Sequence, residues 1–214
     1  MFAIIKLFKI EKCYSKKINE IKELKGHKFL DDAEIDQDSI DMICEMTWKY
    51  YESEISRGNK IISKAKTYCS AVGLMLSFFS IASKDIVIHF NNFSCCNFMV
   101  TLFFVITVAY FLVAAISSLS AIKLTNVNKI GDSDIIDAQK LSIRNQMSNQ
   151  NVAKTICQKY VINKLIYYTK LNEQIDNAMA SYVDISQKSY RKGIVALGAF
   201  LVIVFMFSID CKSL

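Results

Sequence analysis

The chain has 214 residues, 52% of them hydrophobic, with 26 Lys and Arg against 20 Asp and Glu for a net charge of +6, and it contains no proline. An average soluble domain is about 45–50% apolar with Pro near 5%, so loops built on proline turns are excluded and long uninterrupted helices are allowed throughout. The basic excess lies beside apolar stretches, which assigns it to anionic lipid and membrane topology rather than to nucleic acid, and the predicted fold class is all-α.

In chain order, the first segment is Met1 to Ile10, apolar but interrupted by Lys6 and Lys9. No small-residue cleavage site follows, so it reads as an uncleaved amphipathic start rather than a signal peptide. It would lie on a membrane surface or pack on a helical bundle. With the charged stretch up to residue 34 it forms an N-terminal extension, and Gly26 marks a break there. A helix is predicted over 35–66, where Ile40, Ile43, Thr47, Tyr50, Ile55, Ile62 and Ala65 recur at three- and four-residue steps with slips. Asp36, Asp38 or Ser39 would cap it. Arg57, Lys60, Lys64 and Lys66 close it, and with no breaker following them one long helix should run on into the apolar stretch beyond.

Three apolar stretches come next. Thr67–Ser83 and Gly193–Ile209 each run 17 residues without charge, near the lower limit for a membrane span. Phe98–Ile122 is stronger, 25 residues without charge, Gly or Pro. As a helix it exceeds the ~30 Å of hydrocarbon in a bilayer, and it would be apolar on every face. The expectation is three transmembrane helices: a hairpin over 67–122, with spans at about 67–83 and 98–122, and a closing span at 193–209 before a short tail at 210–214.

Between them, 123–192 reads as long helices. Asn126, Asn128 and Gly131 suggest a turn, Asp132 or Ser133 a helix start, and the NQMSNQN patch at 145–151 a break. The later part places Val161, Leu165, Tyr168, Leu171, Ile175, Ala178, Tyr182 and Ile185 in three–four alternation, enough for a coiled seam. Lys159, Lys164, Lys170, Glu173 and Asp176 are expected on its polar face. ISKAKTYCSAVGLML (62–76) and KSYRKGIVALGAFL (188–201) align with Lys66 on Arg191, Ala71 on Ala196 and Gly73 on Gly198. This is either an internal duplication or two helices that independently need basic residues at a membrane. Basic residues crowd 57–66 and 123–192, while the hairpin tip holds only Lys84 and the tail only Lys212. The positive-inside rule then puts the N-terminus and 123–192 in the cytoplasm and the C-terminus outside.

Signals for catalysis are missing. There is no G-x-S-x-G elbow, no P-loop, no G-x-G-x-x-G and no Arg followed by a closely spaced His, and the two histidines, His27 and His89, have no triad context. Neither C-x-x-C pairs nor Cys/His metal spacing occur among the seven cysteines. No cofactor, metal or enzymatic activity is expected. Cys95, Cys96 and Cys211 fall outside the spans and could pair. The apolar stretches contain no charge, so an ion relay is not indicated. Thr101, Thr107, Ala114, Ser117, Ser118 and Ala121 would serve either close helix packing or a pore lining. Arg57, Lys60, Lys64, Lys66, Arg191 and Lys192 either anchor the spans or bind an anionic signal such as a nucleotide.

The run YYESEISRGNKIISKAKTYCSAVGLMLSFFS (50–80) resembles the entry to the first span in small bacterial membrane effectors of antiphage defence, Pycsar-type and SLATT-like. NKLIYYTKLNEQIDNAMASYVDISQKSYRKGIVALGAFLV (163–202) resembles the closing helix of the same group. The resemblance implies an effector in the bacterial inner membrane that oligomerises and permeabilises or depolarises it after a cytoplasmic trigger, a cyclic nucleotide or a partner protein. Unlike those effectors, this chain has its own 1–35 extension and no separate nucleotide-binding domain, which would leave sensing to a cytosolic partner. The alternatives are a membrane scaffold that recruits such a partner with no permeability change, and a holin-like protein that acts unprompted.

Overall fold

The computed structural model describes residues 2–23, 36–88, 95–124, 137, 140 and 150–210. Four helices account for nearly all of them: α1 (Phe2–Glu23), α2 (Gln37–Ile88), α3 (Cys95–Lys123) and α4 (Gln150–Asp210). No strand occurs among the described residues, and the all-α class is as expected. The expected break at Gly26, the turn at 126–131, the helix start at 132–133, His27, His89 and Cys211 lie outside the described residues, as do the side chains of Cys95 and Cys96. Cys13, Cys44 and Cys69 are free thiols.

Asp36 caps α2. Its Oδ2 accepts the Ser39 backbone N–H at 3.4 Å, and its carbonyl accepts that of Ile40 at 3.1 Å. From there α2 runs unbroken for 52 residues. Its covered positions follow one rule: Ile40, Cys44, Thr47, Tyr51, Glu54, Gly58, Ile61, Ala65, Tyr68, Val72, Met75 and Phe79, all buried or half-buried, are separated by four and three residues in strict alternation. This is the spacing that keeps one stripe of a helix against a neighbour. Tyr50, assigned to this stripe from the sequence, is exposed, and Tyr51 takes its place. The slips seen in the sequence arise because two stripe positions are Glu54 and Gly58, which a search for apolar residues passes over.

On α4 the same alternation appears twice. Leu171, Ile175, Ala178, Tyr182 and Ile185 are buried along the expected apolar seam. A second covered stripe lies beside it: Ile162, Leu165, Thr169, Asn172, Asp176, Met179, Val183, Ser186, Tyr190, Gly193, Leu197 and Phe200. The sequence places Asp176 on a polar outer face. The structure corrects this, because Asp176 is a position of the second stripe and is 2% exposed.

The helices group into two compact units. An apolar unit comprises Met1–Phe8, Ile62–Leu124 and Met179–Leu214, and a polar unit comprises Lys9–Ile61 and Thr125–Ala178. In the apolar unit Val72, Phe79, Phe111 and Ala114 are buried together, with Phe104, Tyr190 and Leu197 packed against them. Rings link the three helices: Phe79 to Phe104 at 5.5 Å, Phe111 to Tyr190 at 5.8 Å and Phe104 to Phe200 at 6.0 Å between centroids. Tilted and edge contacts of this kind add to the area that the rings bury. Gly193 lies under Phe111, where a Cβ would approach the ring to 3.0 Å.

Among the described residues, α3 (Phe98–Lys123) and α4 (within Lys154–Met206) are long and apolar enough to cross a membrane. Only 17% of the apolar window of α3 is buried. The third stretch expected to span, 67–83, is the distal part of α2 and is not one of these two. Its exposed side mixes Ser70, Ser77 and Ser80 with Leu74, Phe78 and Ile81.

Candidate functional site

The polar unit holds a buried acidic layer. Glu54 on α2 and Asp176 on α4 are both buried, and Gly58 admits the Asp176 carboxyl, since a Cβ on Gly58 would stand 2.8 Å from Asp176 Oδ1 and 3.1 Å from Oδ2. A side chain at 58 would therefore collide with the acid, and glycine leaves the room that it occupies. Arg57 reaches over the layer. Its Nη1 donates to Glu54 Oε2 at 3.2 Å and its Nη2 to Asn177 Oδ1 at 2.6 Å. Asp176 Oδ2 is buried without a hydrogen-bond partner.

This environment disfavours charge on Asp176. Burial first, and the neighbouring Glu54 second, raise its pKa to about 6, while Arg57 pulls in the opposite direction. Desolvation and a like charge both favour the neutral acid. The layer titrates near pH 6, about a unit below neutrality, and it contains no nucleophile–base pair of the kind that covalent catalysis requires. Among the described residues no group of three or more His, Cys, Asp or Glu is placed to hold a metal ion.

A second polar cluster surrounds the first turn of α2. Lys154 Nζ donates to Asp41 Oδ2 at 2.9 Å, Gln37 Nε2 donates to Gln158 Oε1 at 2.7 Å, and Gln158 Nε2 donates to Asp41 Oδ1. The Gln158 and Lys154 contacts hold the Asp41 carboxyl below its ordinary range. Asp41 and Lys154 are exposed and Gln37 and Gln158 half-buried, and the cluster ties the start of α2 to the start of α4.

The basic residues singled out from the sequence are divided between the units. Arg57 and Lys60 belong to the polar unit, and Lys64, Lys66, Arg191 and Lys192 to the apolar one. Arg57 is engaged by Glu54 and Asn177. Lys60, Lys64, Lys66, Arg191 and Lys192 are exposed, and Lys192 Nζ stands 6.0 Å above the ring of Tyr110.

In the apolar unit Thr107, Ala114, Ser117, Ser118 and Ala121 are buried and Thr101 is half-buried. Thr107 and Ser117 donate to backbone carbonyls one turn back, at 2.7 Å each. Ser118 and Ser186 share a hydroxyl–hydroxyl bond of 2.6 Å, and Ser186 also bonds the Ala114 carbonyl at 2.9 Å. Small residues let α3 and α4 approach closely, and hydroxyls then bond across the contact. Glu54, Gly58 and Ser186 are not singled out by the sequence, and Asp176 only as part of an outer polar face. The signal for Ser186 and Asp176 lies in the register of α4, since each continues its three–four alternation at a polar residue. No protein-family profile, curated protein or solved structure matches this chain.

Proposed function

We propose that the chain is an integral membrane protein of the bacterial inner membrane, with spans at 67–83, within α3 and at 193–209, and with the N-terminus and residues 123–192 in the cytoplasm. Its role is that of a defence effector, which oligomerises and permeabilises or depolarises the membrane after a cytoplasmic trigger, a cyclic nucleotide or a sensor protein. One observation carries the membrane part: α3 carries no charge from Phe98 to Ile122, and its mostly uncovered surface is apolar. Phe98, Leu102, Val105, Leu112, Ile116 and Leu119 are all exposed. Alongside it Leu74, Phe78 and Ile81 of α2 and Val195, Leu201, Val202 and Phe205 of α4 are exposed as well. Water does not tolerate so large a continuous apolar surface on a monomer, whereas hydrocarbon does.

The effector role rests on the resemblance of 50–80 and 163–202 and on a polar unit that shares two continuous helices with the apolar one. Expression together with its trigger should collapse the membrane potential within the time of growth arrest, as read by a voltage-sensitive dye. Growth arrest with the potential intact would refute permeabilisation. A scaffold reading has one observation in its favour, since Met42, Met46 and Trp48 are exposed on α2 in the polar unit. Stoichiometric capture of one cytosolic protein, without ion flux in liposomes, would establish it instead.

A further inference from the structure

Three tyrosines mark one level of the apolar unit. The rings of Tyr68 on α2 and Tyr190 on α4 meet at 5.9 Å between centroids. Tyr110 on α3 adjoins Phe111, whose ring meets that of Tyr190 at 5.8 Å. All three tyrosines are half-buried. A ring packed on apolar neighbours with a hydroxyl at a wet edge is what a membrane–water boundary selects.

The basic residues of this unit gather at the same level. Lys64 and Lys66 precede Tyr68 on α2, about 6 and 3 Å away along the axis at the helical rise. Arg191 and Lys192 directly follow Tyr190. All four are exposed. Lys192 Nζ stands 6.0 Å from the centre of the Tyr110 ring, within cation–π range. On the side of this level where α2 and α4 run on and α3 begins, 67–83, 98–109 and 193–209 hold no charge. Acids do not balance the four cations. Residues 62–83 and 98–124 contain none, and on α4 Asp184 is held by Lys188 at 2.6 Å.

Their arrangement selects the kind of anion. Lys64 and Lys66 flank the buried Ala65, each turned about 100° from it, so they leave α2 on opposite sides. Arg191 and Lys192 are likewise about 100° apart on α4. No single small anion reaches cations spread in this way, whereas a layer of headgroups meets all of them. We propose that Lys64, Lys66, Arg191 and Lys192 form a collar for anionic lipid headgroups, binding their phosphates around the apolar unit, with Tyr110 seating Lys192. The collar rests on the membrane reading above and adds the class of lipid to it.

Thermal unfolding of the purified chain in a neutral detergent, doped with phosphatidylglycerol or with phosphatidylcholine, tests the collar. Phosphatidylglycerol should raise the Tm and phosphatidylcholine should not. In the triple variant Lys66→Gln, Arg191→Gln, Lys192→Gln, the phosphatidylglycerol needed for half of the rise should increase about fivefold per charge removed. The triple variant Lys49→Gln, Lys154→Gln, Lys170→Gln loses the same charge from the polar unit and should respond as the parent does. An equal response of the parent to both lipids, or an equal loss in both triple variants, would overturn the collar. So would an equal rise on inorganic phosphate or a mononucleotide alone, which would assign the cations to a soluble anion. Should the first variant fail to fold, the parent's preference between the two lipids still decides. Fractionation without detergent tests the membrane reading separately: a chain that leaves the membrane pellet sinks that reading, whereas a pelleted chain with no preference for phosphatidylglycerol sinks only the collar.

Discussion

The two units use one helical geometry and opposite core chemistry. In the apolar unit the stripe positions of α2, α3 and α4 are aromatic, aliphatic or small, and the few hydroxyls are satisfied in place, as Ser118, Ser186 and the Ala114 carbonyl are. In the polar unit the equivalent positions include Glu54, Gly58, Thr169, Asn172 and Asp176, and one carboxylate oxygen is left without a partner. The first core is specified by shape and is indifferent to pH. The second is specified by charge and sits close to a titration point. Buried polar layers add specificity at a cost in stability, so the polar unit is the part of the molecule whose strength solution conditions can alter.

This contrast can be broken first at Phe111. Phe111→Ala removes a ring shared by α2, α3 and α4 and should destabilise by about 3–5 kcal/mol, equally at pH 5 and pH 7.5, in thermal unfolding followed by circular dichroism in detergent. Asp176→Asn should act in the other direction and with a pH signature. The folded pKa of Asp176, about 6, lies above its ordinary 3.8. Its contribution to stability is therefore complete below about pH 4 and is lost as pH rises through 6. The parent should be more stable at pH 5 than at pH 7.5, with a difference on the order of 1 kcal/mol, and Asp176→Asn should flatten that slope. An unchanged slope would show that Asp176 is solvated in the folded protein.

Arg57→Ala should cost about 1–2 kcal/mol at neutral pH, since it leaves two acids facing each other, and acidification should restore part of the loss. The smallest and sharpest comparison is between glycines. Gly58→Ala drives a Cβ into the Asp176 carboxyl and should destabilise by about 1 kcal/mol or more. Gly73 and Gly198 have open space around the same position, and alanine there should gain up to about 1 kcal/mol of helix propensity. If all three substitutions behaved alike, the acidic layer would not be close-packed.

Much of the fold was legible because apolar residues announce themselves. The circumference of α3, the seam at Leu171, Ile175, Ala178, Tyr182 and Ile185, and the continuous run of α2 through Lys66 all follow from periodicity and the absence of proline. The acidic layer was not legible for the same reason. Glu54, Gly58 and Asp176 occupy covered positions but are of residue types that a hydrophobic period discards, and Asp176 falls between lysines and acids that do face solvent. The alignment of 62–76 with 188–201 carried more than it revealed: its register sets Val72 on Leu197 and Met75 on Phe200, which is covered stripe upon covered stripe. The basic residues were least informative, because whether lysines on separate helices come together is decided by packing, which spacing along one helix does not give.

The uninterrupted alternation along α2 has a mechanical consequence. Within the apolar unit its inward stripe passes from Ala65 to Phe79 without a skipped or added residue, so this stretch has a single angular phase. One residue inserted between Cys69 and Ser70 would turn every later side chain by about 100°, whereas seven would return them to within about 20°. The facing of Val72, Met75 and Phe79 is therefore expected to survive changes of length only in steps of a heptad.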